Sequence, residues 1–455
     1  MSITTTTNKA AAEYRQELED GLIIRWSTAA DTENIARITG IVFREKAEDP
    51  PNKNIQKRVR MLMHGLTPVM GPDDYAIVED PRQTDNPVVA GISLQRLDWH
   101  YDNIPIQVGR PEIVFTHPDY RNRGLIRQLF DMVHARSAAE GRLLEGITGI
   151  PYFYRQFGYE YAIELEGNRE VALTSIPKLK ESEHEDYTIR TAMIEDLPRI
   201  QELYHQLIQR YLVATHIPEA DLRWFIEDWQ KYPAYPRRFV FQVIVDATQI
   251  IRGFMLLPTL RRSPQMNVWT MATDQESNTQ AMMTAILRSL QVYGQQLPTE
   301  KPDMEPVSAI RFNLGEDHPV YDALGSLARQ IEPSYGWYIR VPDLPRLLQH
   351  IAPALERRLV GSVVANYSGE LKLDFYRSGL HLVFEQGKLV TAENWRSTVL
   401  DYAADGGFPP LVFLKALFGY RSLAELRHMY PDVWVNNEVL FNTLFPTKPS
   451  YVLSL

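Results

Sequence analysis

Cysteine is missing from all 455 residues. That excludes disulfides, cysteine-ligated zinc and a cysteinyl acyl-enzyme, and no metal site is read from the sequence. Missing too is any apolar run of the length a membrane span needs. The polar opening residues hold no apolar stretch of the kind a secretion signal carries, so a cytoplasmic chain is expected. A basic excess is also lacking, since 48 Lys and Arg face 57 Asp and Glu for a net charge of −9. This balance argues against a non-specific nucleic-acid binder and suits cationic or amine partners. What is present is ordinary for a globular protein, with 44% apolar and 23% charged residues. The length suggests about two to four domains.

The most informative stretch runs from Glu112 to Arg127. Glu112-Ile113-Val114-Phe115-Thr116 reads as a strand that Pro118-Asp119 breaks. Arg121-Asn122-Arg123-Gly124 forms a tight polar turn. Leu125, Ile126, Leu129, Phe130 and Val133 then recur at helical spacing to about Ala139, with a stop at Gly141. Strand, basic turn and helix make an anion site, because the first helical amides have no internal partners and the helix dipole is positive there. Gly124 lets the backbone approach an anion without an intervening Cβ. An ordinary strand-turn-helix joint has the same spacing.

Read whole, Pro-Asp-Tyr-Arg-x-Arg-Gly resembles motif A of the GNAT superfamily of acyl-CoA-dependent N-acyltransferases, with Arg121, Gly124 and Ile126 at its three positions. Ile126 stands where the family usually has Gly or Ala. The resemblance implies acetyl-CoA as co-substrate, with the diphosphate of coenzyme A on the turn amides of Arg121, Asn122, Arg123, Gly124, Leu125 and Ile126. It implies that the pantetheine runs along Ile113, Val114 and Phe115. A second element, Pro151-Tyr152-Phe153-Tyr154-Arg155-Gln156-Phe157-Gly158-Tyr159, is similar to the family's F-Y-x-x-x-G-F/Y segment, and the resemblance makes Tyr154 the acid that protonates the leaving thiolate. Tyr154 is equally placed to be a member of an aromatic cluster with Tyr152, Phe153, Phe157 and Tyr159.

The pattern then repeats. Arg190 and Asp196 follow Arg25 and Asp31 at an offset of 165 residues, and Tyr321 follows Tyr154 at 167. Where the basic turn should recur, the chain reads Asp274-Gln275-Glu276-Ser277-Asn278, acidic and without glycine. This second copy is expected to have lost coenzyme A. The last block alternates strand-like runs, Glu370–Phe375, Leu380–Phe384 and Lys388–Val390, with apolar helical patterns around Leu347, Leu355 and Phe413. It is similar to the sterol-carrier-protein-like C-terminal domain of Eis-like (enhanced intracellular survival) acetyltransferases.

The fold class expected is α+β, with two tandem GNAT-type domains, the second degenerate, before a sterol-carrier-like α/β domain. Its boundaries are an N-terminal arm over 1–21, a catalytic domain over 22–165, a linker over 166–186, a degenerate copy over 187–336 and the last domain over 337–455. The activity implied is direct transfer of an acetyl group to a primary amine, small or peptidyl, in a ternary complex; homo-oligomerisation stays open. The Eis resemblance makes the terminal carboxylate of Leu455 the base and threads the tail into the active site. Glu112 is the rival base, with pairing to Arg110 as its purely structural alternative. Two other functions fit the sequence: a lipid carrier acting through the last domain, and an acetyl-CoA sensor without turnover.

Overall fold

The computed structural model describes residues 8–182, 184–232, 235, 238–277, 279–397 and 403–453. They fall into two compact units of mixed α/β structure. One runs to Ile163 and resumes over Trp337–Thr447; the other takes Glu164–Gly336 with the segment from Lys448 onward.

In the first unit a sheet is built from β1 (Arg15–Glu17), β2 (Ile23–Trp26), β3 (Tyr75–Glu79), β4 (Val88–Tyr101), β5 (Ile104–Thr116) and β6 (Leu144–Ile147), in that order. Strand Tyr335–Arg340 and β7 (Glu160–Leu165) follow. β4 and β5 form a long hairpin that turns at Asp102 and Asn103, both at positive φ, as a tight hairpin turn requires. One face of the sheet packs Ile24, Ile92 and Leu94 against Leu129, Phe130 and Val133 of α3 (Leu125–Ala139). The other buries Ile77 and Phe115 under Ile35 and Ile38 of α1 (Thr32–Val42) and Val59 and Leu62 of α2 (Lys53–Met63). Helix α2 starts after Pro50-Pro51, and its N-cap Asn52 accepts from the amides of Asn54 and Ile55.

Part of the expected arm is a strand. Arg15–Glu17 pairs antiparallel with Ile23–Arg25, held by buried Tyr14 and Leu22 on either side. The C-terminal part of this unit has a sheet ordered Lys388–Trp395, Gly379–Glu385, Gly369–Asp374, Gly406–Gly407, Trp434–Val435. Helices Leu344–His350 and Ala352–Val360 bury Leu347, Leu348, Leu355 and Leu359 fully, on the helical period read from the sequence.

The second unit holds two four-stranded sheets, one ordered Thr270–Thr273, Ile251–Pro258, Phe239–Asp246, Tyr187–Thr191 and one ordered Gln265–Val268, Ala309–Phe312, Asn168–Ala172, Arg329–Glu332. Asn168–Ala172 lies within the expected linker; it is a strand because Val171 is fully buried between two antiparallel neighbours. The two units share a local device. Arg25 donates to both oxygens of Asp31 at 2.9 and 2.8 Å while Asp31 accepts the Thr28 amide; Arg190 donates to both oxygens of Asp196 at 2.6 and 2.9 Å while Asp196 accepts the Met193 amide. The chain's end joins this unit, with Ser450–Tyr451 pairing in parallel with Val213–Ala214. Tyr451 lies in its core.

Candidate functional site

β5 and β6 pair in parallel only at Val108–Leu144 and Gly109–Glu145. β5 then continues to Thr116 and β6 to Ile147, so a gap opens between their facing edges. A bulge sharpens the divergence. Gly91 pairs with Phe115 and Ser93 with Glu112, so Ile113 and Val114 together face Ile92 alone. Ile113 takes a φ of 49°, a left-handed conformation that is strained for a β-branched residue. Ile113 and Phe115 are fixed in one core and Val114 packs on the other.

At the end of β5 the chain makes a short helical turn over Pro118–Tyr120 and enters a turn with Asn122 at φ 62° and Gly124 at 71°. Among the described residues, the amides of Asn122, Arg123, Gly124, Leu125 and Ile126 donate to nothing. Gly124 caps α3 without a side chain, and a Cβ added there would meet no atom within 4 Å. Arg121, Asn122, Arg123 and Gly124 are exposed, Leu125 is buried and Ile126 half-buried. Arg123 lies over the Tyr120 ring at 4.8 Å and Arg127 over Phe157 at 5.4 Å, and Arg121 has no ion-pair partner among the described residues. The Thr116 hydroxyl at the mouth is buried without a partner.

Tyr154 opens a short helical turn that Gly158 closes at φ 85°. Its ring contacts Phe130, Phe153, Tyr159 and Tyr338, so the aromatic cluster exists. Yet among the described residues its hydroxyl makes no hydrogen bond, and Gly149 supplies the space beside it. Burial pushes the phenol up to about 12, and the charge of Glu112 adds to the shift. Glu112 also pairs with Arg110 at 3.0 Å, as its structural alternative requires, and keeps 18% of its side chain exposed. Leu455 lies outside the described residues.

The counterparts in the second unit are closed. The Tyr321 hydroxyl donates to the Phe312 carbonyl at 3.0 Å. The Thr279 hydroxyl accepts the Met282 amide at the start of helix Gln280–Gln296, where α3 has only Gly124. Asp274 is held by Arg199 at 3.1 Å and Arg252 at 3.5 Å. Three contributors to the first site were missed in the sequence: the Ile113 bulge, Gly149 and Arg127. Gly149, just after a strand and just before the aromatic run, was the one with a local signal.

Residues 23–162 match the sequence family described as an acetyltransferase (GNAT) domain. No curated protein matches the chain significantly. Among solved structures the chain is similar to a GCN5-related N-acetyltransferase from Kribbella flavida, with TM-score 0.64 and 16% identity over 95% of this chain and 98% of that one. A GCN5-related N-acetyltransferase from Anabaena variabilis gives 0.63 and 12% over 94% and 98%. Eis1 from Mycobacterium abscessus gives 0.56 and 11% over 94% and 98%. At these identities the likeness is one of fold. With the splayed strands and the open amide turn lying inside the matched segment, residues 23–162 are a GNAT acetyltransferase domain.

Proposed function

We propose that the first unit transfers an acetyl group from acetyl-CoA to a primary amine by direct attack in a ternary complex. The observation that carries this reading is the run of five unbonded amides from Asn122 to Ile126, set at the mouth of the gap between β5 and β6. These amides and the α3 dipole suit a diphosphate, and Arg121, Arg123 and Arg127 add positive charge around it. The open side of Gly124 and the orphaned Thr116 hydroxyl fit a ligand at this place. The unpaired edge of β5 over Val114–Thr116 offers backbone groups to a pantetheine amide.

When bound, coenzyme A supplies the acetyl thioester. Glu112 takes the proton of the attacking amine, and its exposed fraction leaves it reachable from solvent. Tyr154 gives its proton to the departing sulfur. With its phenol held near 12 it stays protonated across the working pH range, and its hydroxyl is not engaged elsewhere. In the second unit the corresponding turn and hydroxyl are occupied by the protein itself, which supports a copy without coenzyme A. The test is a titration of coenzyme A together with a turnover screen over polyamines, aminoglycosides and lysine peptides. Binding with turnover on at least one class is expected. Binding without turnover on any of them would make the domain a sensor.

A further inference from the structure

The second unit contains an open cleft of about 200 Å³. Gln206 and Arg210 reach it from the end of helix Leu197–Ile208, Thr273 and Gln275 from the acidic turn, and His318 and Asp322 from around helix Val320–Leu324. His318 and Asp322 flank Tyr321, the residue offset from Tyr154, and Thr273 and Gln275 belong to the acidic turn that stands where the first unit has its basic turn. Tyr451 packs behind His318. That ring is buried, its hydroxyl shares a hydrogen bond with Thr270 Oγ1 at 2.8 Å, and it leans on His318 with centroids 5.6 Å apart. His318 is fully used, with Nε2 on the Met271 carbonyl at 3.0 Å and Nδ1 receiving the Val320 amide at 3.3 Å. Burial pushes its pKa down to about 3, so it lines the cleft as a neutral group. With the counterparts of the acid and of the anion turn both engaged internally, the cleft lacks the parts that acyl transfer uses in the first unit. Its volume leaves room for a small metabolite.

Two opposite charges distinguish this cleft. Among the described residues, Arg210 and Asp322 form no ion pair with each other or with anything else. A bare anion on Arg210 would also meet the Asp322 carboxylate, and a bare amine on Asp322 would meet the Arg210 guanidinium. A ligand carrying both charges satisfies both ends. Gln206, Gln275 and Thr273 lie along the same wall with amide and hydroxyl groups for a polar side chain. We propose that this cleft is a binding site for a free α-amino acid, its carboxylate on Arg210 and its ammonium on Asp322, in the size range of glutamine. The site does not depend on the acyl-transfer reading of the first unit.

The test is titration calorimetry of L-glutamine into the full chain. One saturable site is expected, weakened about tenfold or more by Arg210→Gln and by Asp322→Asn. Both side chains are exposed, so neither change disturbs the core. N-acetylglutamine, which lacks the ammonium, should bind correspondingly weakly, and the affinity of L-glutamine should be unchanged in Gly124→Glu. Absence of saturable binding at millimolar ligand would overturn the proposal, as would affinity unmoved by both cleft substitutions. Binding lost in Gly124→Glu but kept in Arg210→Gln would place the amino acid in the first unit as an acceptor and equally overturn it.

Discussion

Two residues carry most of the chemistry proposed for the first unit, and each sits in a second, purely structural role as well. Tyr154 packs in an aromatic cluster, but packing needs only its ring. Tyr154→Phe should therefore leave acetyl-CoA binding within about twofold and lower kcat by roughly 10²-fold or more, since the lost proton acts only as the sulfur departs. Steady-state rates with a good amine check this; an unchanged kcat returns Tyr154 to the core. Glu112 is tied to Arg110, which in turn lies over the Trp337 ring at 5.0 Å. Glu112→Gln keeps the shape and removes the base, so kcat should fall about 10²-fold while acetyl-CoA affinity stays. Removing Ser454 and Leu455 should leave turnover intact, because Glu112 is the base in this reading. The reverse pattern, a silent Glu112→Gln and an inactive truncation, would hand the base to the terminal carboxylate.

At the scale of elements, the turn between β5 and α3 decides whether coenzyme A binds. Gly124→Glu should abolish binding in calorimetry, because bulk and negative charge enter the amide concavity. Gly124→Ala meets open space but keeps a φ of 71°, so it should retain binding and lose roughly 1 to 2 kcal/mol of folding stability. This turn was legible in the sequence because Pro118, Gly124 and the helical spacing of Leu125, Leu129 and Val133 are local signals. So were the hairpin at Asp102-Asn103 and the Arg-Asp clasp repeated at a fixed offset. What could not be read is non-local. A β-branched residue gives no hint that it will adopt positive φ, and Ile113 does so only because Ser93 and Gly91 fix the register on the neighbouring strand. Helix α2 shows a helical period in Ile55, Val59, Leu62 and Met63, but which neighbours bury that face, α1 and β3, is set by the fold. The strand Asn168–Ala172 sits in a stretch whose charges suggest a linker, and its partners lie more than a hundred residues away.

At the scale of the whole molecule, the two units should respond alike to acid and differently to coenzyme A. Each unit holds a histidine kept neutral, half-buried His134 against the Tyr159 hydroxyl at 2.8 Å and buried His318 against the Met271 carbonyl, and desolvation pushes both down to about 3. An unfolded histidine takes up a proton near 6.5, so the stability each contributes is present above that pH and is lost as pH falls toward 3. Urea midpoints should decline between pH 7 and 4.5, and decline less in His318→Gln relative to its own value at pH 7. Coenzyme A separates the copies. In the first, among the described residues, five amides are unbonded and Arg121 has no ion-pair partner, and Gly124 leaves space. In the second, a threonine hydroxyl occupies the helix start, and Asp274 brings negative charge to the turn. Any anion arriving there would lose the capping amide to Thr279 and be repelled by Asp274. Calorimetry should thus give one coenzyme A per chain, and Thr279→Gly combined with Asp274→Asn should not create a second site while Tyr451 remains in the core. Two equal sites in the wild-type chain would mean that the amide turn is not what selects the first copy.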